Sequence, residues 1–391
     1  MKNAVYIPFL FAFISNVTFA QTFSVGHKSQ TFIDASRANR NITAEIYYPS
    51  NTTGDNVSIA AGQFPVLVFG HGFVMTWSSY DVEWNALVPN GYIMVFPTTE
   101  TSFSPSHTDF GKDIGFLTRA MKSEGLNPAS FFHGAVTSKS AVMGHSMGGG
   151  CAFLAMQYDT AITVLATLAA ANTTPSAITA ARTITRPSIV FSGVNDCITP
   201  PSTHQIPMYD SLKSTCKTLI NITGGAHCFF AGNNTNCYLG QATCTPKPAI
   251  TAAAQQSITF NLLIPWLNFY LKNNCASASQ FQELINASSG ITSVQNCTLS
   301  CSATGLENEL YSANIVIAPN PFTYETTISF SSEQKNTTLT IIDLPGKEIK
   351  SVTIHGTKNF ILEKREIKSG IYFLKITDEN KNVFNKKIII R

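Results

Sequence analysis

Gly144-His145-Ser146-Met147-Gly148-Gly149-Gly150 places a serine between glycines, directly after the apolar run Ser140–Met143 and before the helix-like Ala152–Gln157. A strand–turn–helix setting is what a G-x-S-x-G motif needs to hold a serine at the tip of a sharp turn, where its hydroxyl can attack a carbonyl. A hydroxyl is a poor nucleophile near neutral pH and requires a base. Two further strand ends supply the partners. Asp196 follows the run Ser188–Phe191, and His227 follows Leu219–Ile222 through Gly224-Gly225-Ala226. The order Ser, Asp, His suits a triad in which His227 takes the serine proton and Asp196 fixes the imidazole tautomer. The developing oxyanion needs two backbone N–H donors. Met147, after the nucleophile, gives one; Phe73, in the turn Phe69-Gly70-His71-Gly72-Phe73, gives the other. His71 reads as a packing residue and His145 as structural, behind the elbow. His27, His107, His133, His204 and His355 lie in edge, loop, helix or accessory segments and are weaker bases.

The elements that must carry these residues are legible as patterns. Val66–Phe69, Tyr92–Phe96, Ser140–Met143, Ile162–Leu165, Ser188–Phe191 and Leu219–Ile222 are continuous apolar runs, as strands covered on both faces should be. Segments of helical length separate them, among them Asp109–Met121, Ser202–Leu212 and Ile250–Leu271. Alternation of this kind predicts a mainly parallel sheet with helices on both faces. Thr22–Phe32 and Asn41–Tyr48 read as antiparallel edge strands and Asn51–Gln63 as a loop.

The chain has 391 residues, with 26 Lys plus Arg, 23 Asp plus Glu and nine Cys. Its net charge of +3 gives no reason to expect nucleic acid or an anionic membrane as partner. Charge is uneven: 12 of the basic and 8 of the acidic residues fall in 311–391, whereas all nine cysteines lie between Cys151 and Cys301. Two bodies are therefore expected, joined by a linker over 302–312. Residues 1–20, with Lys2, the apolar stretch Ala4–Ile14 and Thr18-Phe19-Ala20, have the layout of a secretory signal peptide cleaved before Gln21. Export makes disulfides expected. Cys151 is the odd thiol, facing the core; Cys237 and Cys244 could pair locally, and Cys275 could reach Cys297 or Cys301. No cofactor or metal is implied, because no His/Cys group has ligand spacing that is not better read as triad or disulfide.

The elbow, the stretch Asn195-Asp196-Cys197-Ile198-Thr199-Pro200 with Ile206–Leu212, and Gly224–His227 together resemble the cutinases and bacterial poly(ethylene terephthalate) hydrolases, over roughly residues 25–300. The resemblance implies an α/β-hydrolase fold over 21–301, a Ser146/Asp196/His227 triad, oxyanion donors at Phe73 and Met147, and a cleft in which Ile198 lines the acyl side. Phe73, Met147, Ile198 and Phe229 are the expected substrate walls. Relatives often carry a Trp on the strand end after the nucleophile helix, where this chain has Ala170-Ala171-Asn172-Thr173; the loop after His227 is longer. The C-terminal 313–391, with Ala318–Phe322, Ile341–Ile349, Ser369–Ile376 and Lys386–Arg391, resembles the sorting domain of type IX secretion, a small all-β sandwich. The combined expectation is a secreted, monomeric serine ester hydrolase that acts on polyesters, aromatic ones included, and is handled by the type IX machinery. A lipase or peptidase of the same fold is the first alternative. A non-catalytic surface-binding protein is the second, and a complete nucleophile, base, acid and oxyanion loop argues against it.

Overall fold

The computed structural model describes residues 22–232, 234–301, 315–343, 346–379 and 383–391. The expected signal peptide and linker lie outside these residues. The chain divides into two units, Met1–Ser300 and Cys301–Arg391.

The first unit is built on ten strands: β1 (Ser24–Asp34), β2 (Arg40–Ser50), β3 (Gly54–Asp55), β4 (Phe64–Gly70), β5 (Ile93–Pro97), β6 (Val136–His145), β7 (Val164–Leu168), β8 (Ser188–Gly193), β9 (Lys217–Ile222) and β10 (Ile291–Gln295). They form one mixed sheet in the order β10-β9-β8-β7-β6-β4-β5-β2-β1-β3. The central strands β5, β4, β6, β7, β8 and β9 are parallel, while β1–β2, β2–β5 and β9–β10 pair antiparallel. Among the described residues eight α-helices accompany them: α1 (Asp81–Leu87), α2 (His107–Leu126), α3 (Met147–Tyr158), α4 (Ala177–Ala181), α5 (Gln205–Ser211), α6 (Thr235–Gln241), α7 (Ala252–Lys272) and α8 (Cys275–Ala287).

Strands β4, β5, β7 and β8 are buried along their whole length. Their side chains alternate between two cores, because successive residues of a strand face opposite sides of a sheet. Val66, Val68, Ile93 and Val95 join Phe110, Ile114, Leu117 and Phe153 of α2 and α3. Leu67, Phe69, Met94 and Phe96 join Leu87 of α1 and Leu263, Trp266 and Leu267 of α7 on the other face. That is why these runs are apolar throughout rather than alternating. Ser106 and Thr251 start α2 and α7 by accepting hydrogen bonds from Asp109 N–H and Ala254 N–H.

The second unit has two antiparallel sheets. The first joins β11 (Ile315–Ala318), β12 (Glu325–Gln334) and β15 (Thr357–Glu363); the second joins β13 (Thr337–Ile342), β14 (Glu348–Ile354), β16 (Gly370–Thr377) and β17 (Val383–Ile390). Phe322, Ile328, Leu339, Leu362, Leu374 and Ile388 belong to its single hydrophobic core. No helix among the described residues is long and apolar enough to cross a membrane.

Disulfides differ from expectation. Cys237 pairs with Cys228 and not with Cys244; Cys244 pairs with Cys197, and Cys297 with Cys216. Sequence proximity favours a local loop, but Cys237 lies inside α6 and Cys244 beyond its end, and each is tied to a different loop. Cys275 is also disulfide-bonded, though Cys297 is taken by Cys216. Cys151 is free and buried, and burial pushes its thiol pKa up.

Candidate active site

The sheet order reverses between β4 and β6: β5 and β2 continue on one side, β7, β8 and β9 on the other. Ligands of open parallel sheets bind beyond the carboxyl ends of the strands at such a switch point. Here β4 and β6 run parallel with Gly70 opposite Gly144, so the turn after each emerges side by side.

Ser146 caps α3 with φ 55° and ψ −122°, a strained conformation for a residue with a side chain. Its backbone is pinned to the adjoining strand end: its N–H donates to Leu168 O at 3.0 Å, and its carbonyl accepts from Ala171 N–H at 2.8 Å. The elbow can only be this tight with glycine at its base. A Cβ on Gly148 would sit 2.0 Å from Gly70 O, and one on Gly144 would sit 2.4 Å from Gly148 backbone.

Asp196 stands just past β8 and His227 just past β9, at the same end of the sheet as Ser146. His227 Nδ1–H donates to Asp196 Oδ2 at 2.7 Å, with both side chains buried. The rest of the carboxylate is satisfied as well. Oδ1 accepts from Ile198 N–H and Thr199 N–H, both at 2.8 Å, and Oδ2 accepts from the Thr199 hydroxyl at 2.8 Å. Thr199 is in turn held by Gln205, whose side-chain amide donates to it at 3.2 Å and to Ala170 O at 2.6 Å. An Nδ1 that donates leaves Nε2 of His227 as the basic nitrogen.

A cavity of about 360 Å³ opens above these residues, lined by Phe73, Val74, Met75, Phe103, Ser146, Ile198, His227, Asn236, Cys237 and Gly240. Of the expected walls, Phe73 and Ile198 line it. Met147 is buried at the start of α3, and Phe229 packs on Tyr238 with ring centroids 6.1 Å apart; neither lines the cavity. The N–H groups of Phe73 and Met147 have no hydrogen-bond partner among the described residues. Ala170–Thr173 do not line the cavity either. The Asn172 side chain instead accepts from Ser176 Oγ and Ile178 N–H at the start of α4.

Several wall residues carry no motif and were not read from the sequence. Phe103, 84% exposed on the loop between β5 and α2, meets Phe73 edge-on at 6.4 Å between centroids. Its loop is anchored where Glu100 accepts from Arg40 at 2.8 Å and from Ser106 N–H at 2.6 Å. Asn236, Cys237 and Gly240 come from α6, clipped to Cys228, next to His227, and through Cys244 to Cys197, next to Asp196.

His71, His27 and His204 bond groups outside the triad. His71 bonds Gly72 O and Thr99 O and is held neutral by burial; His27 lies between Glu45 and Asp55; His204 accepts from Asn172 N–H. His145 is fully buried behind the elbow, and burial holds its pKa well below the usual imidazole range.

Comparison with known proteins agrees with both units. An endo-acting ulvan lyase of Formosa agariphila is 31% identical over 85 residues, which are 22% of this chain and 16% of that protein. Residues 316–391 match the secretion system C-terminal sorting domain. Residues 19–245, more than half of the chain, match the PET hydrolase-like family, and the protein belongs to that family.

Proposed function

We propose that the protein is a secreted serine carboxylic-ester hydrolase on an α/β-hydrolase fold, acting through an acyl-enzyme on Ser146. The observation that carries this reading is the 2.7 Å bond from His227 Nδ1–H to a fully satisfied Asp196 carboxylate, with Ser146 lining the same cavity on a strained elbow. His227 Nε2 accepts the Ser146 proton as Oγ attacks the ester carbon. The N–H groups of Phe73 and Met147 receive the oxyanion. The imidazolium, stabilised by Asp196, gives the proton to the departing alkoxide. Water, activated by His227, then releases the acid by the reverse sequence. The strand order supports the fold assignment, since it brings the serine turn beside the donor loop.

Polyesters, aromatic ones such as poly(ethylene terephthalate) included, are the proposed substrates. The cleft is open and mostly apolar, and Phe73 and Phe103, on the loops after the neighbouring strands β4 and β5, offer two ring surfaces side by side. A broad cleft of this kind suits a chain segment better than a small polar ester. The C-terminal unit is proposed to be read by the type IX secretion machinery and to deliver the enzyme to the cell exterior. The test is hydrolysis of p-nitrophenyl butyrate and of a polyester film by the wild type and by Ser146→Ala. Turnover in the wild type with a loss of about 10⁴-fold or more in a folded Ser146→Ala supports the assignment. Near-normal turnover by that variant removes it.

A further inference from the structure

Tyr80 and His145 are fully buried and are not members of the triad, yet their polar atoms form a chain that spans the site from behind. His145 Nε2 lies 3.1 Å from His227 O, and Tyr80 Oη lies 3.0 Å from His145 Nδ1. Gly72 N–H donates to Tyr80 Oη at 2.7 Å. The direction of every bond is fixed. A carbonyl only accepts, so Nε2 of His145 carries the hydrogen and donates to His227 O. Nδ1 then holds a lone pair and accepts the Tyr80 hydroxyl hydrogen. The Tyr80 oxygen accepts from Gly72. The one rival acceptor for that hydroxyl hydrogen, Met75 Sδ at 3.4 Å, is a weak one.

Both ends of this chain matter to the proposed reaction. At one end Gly72 is the residue before Phe73, and committing its N–H to Tyr80 leaves Phe73 N–H as the next amide of the turn to face the oxyanion. The fit is close: a Cβ on Gly72 would sit 2.8 Å from Met75 Sδ and 3.2 Å from Tyr80 Oη. At the other end the backbone of His227 is held, and its ring lies 4.6 Å from that of His145, centroid to centroid. A neutral His145 is what that neighbour requires, because two adjacent imidazolium rings would repel when His227 takes up the serine proton.

We propose that Tyr80 and His145 are positioning residues, a buried hydrogen-bonded strut that sets the oxyanion loop and the general base in register with each other. The inference rests on the ester-hydrolase reading above. Neither side chain lines the cavity, so the strut should act on the transition state and not on ground-state binding.

The experiment compares the full-length wild type with Tyr80→Phe on p-nitrophenyl butyrate, and measures inhibition of each by phenylboronic acid, whose tetrahedral adduct uses the same donors. In Tyr80→Phe, kcat should fall about tenfold with KM within about twofold, and the boronate Ki should rise by about the factor that kcat falls. A folded Tyr80→Phe with kcat and Ki both within about twofold of the wild type overturns the proposal. If Tyr80→Phe does not fold, His145→Gln and His145→Leu decide. Gln offers a donor and an acceptor in place of the imidazole and should keep kcat at least about fivefold above Leu; equal values overturn the strut. A wild type without ester turnover fails the ester-hydrolase reading itself. An active wild type with an indifferent Tyr80→Phe fails the strut alone.

Discussion

Asp196 accepts four hydrogen bonds, two from backbone N–H groups, one from a hydroxyl and one from His227. An amide in its place keeps the shape: its oxygen can stay on the two backbone N–H groups, which can only donate, and its NH₂ then faces the Thr199 hydroxyl and His227 Nδ1, which must turn acceptor. Asp196→Asn should therefore fold and lose kcat by about 10⁴-fold with little change in KM, because the imidazole loses its preferred tautomer. Steady-state kinetics on p-nitrophenyl butyrate check this, and a silent Asp196→Asn means that another carboxylate serves His227. Ser146, Asp196 and His227 were legible because each follows an apolar run through a turn rich in Gly or Asn, a local pattern. Thr199, Gln205, Tyr80 and Phe103 were not. Thr199 bonds Asp196 and Gln205 bonds Thr199 within a short stretch that carries no motif of its own, while Tyr80 meets a partner 65 positions away and Phe103 meets Phe73, separations no spacing rule reports.

The strands of the first unit could be placed from the sequence because apolar runs covered on both faces leave a continuous signature, as Val66–Phe69 does. The short helices α1, α4 and α6 and the edge strand β10 are five to seven residues long, too short for a period to show. Their places are set by tertiary contacts, most plainly in α6, which two disulfides tie to the loops of Asp196 and His227. Helix α1 also holds a stability cost. Glu83 is fully buried, neither carboxyl oxygen finds a partner on another of the described residues, and burial, with Asp81 nearby, pushes its pKa well above the usual carboxylate range. The folded state then holds a proton that the unfolded state gives up, so stability falls as pH rises above the unfolded carboxylate value. Glu83→Gln removes that titration. Its melting temperature should exceed the wild type's at pH 8 by a few degrees, roughly what about 1 kcal/mol shifts, and the two should converge toward pH 4. A calorimetric pH series reads this, and a gap that stays constant with pH contradicts it.

At the scale of the whole chain, the division follows composition. The first unit holds the sparse charge, the Cys197–Cys244, Cys216–Cys297 and Cys228–Cys237 disulfides and the candidate site; the second has its own two sheets and its own core. A body with its own core folds without a neighbour in the usual case. A chain ending at Cys301 should keep kcat on soluble esters within about twofold of the full-length protein while losing export to the medium. Fractionation and esterase assay of producing cells test both halves of that statement; an unfolded or inactive truncated chain would mean that the second unit is needed by the first.

The covalent acyl-enzyme proposed on Ser146 can be trapped by rapid-quench mass spectrometry with p-nitrophenyl butyrate. The account predicts that a butyryl adduct appears on the peptide containing Ser146 within the first turnover, that p-nitrophenol is released in a burst of about one equivalent per active site, and that both are lost in Ser146→Ala. Steady turnover with the peptide unmodified at every quench time and no burst, or the acyl group on a different residue, would contradict it.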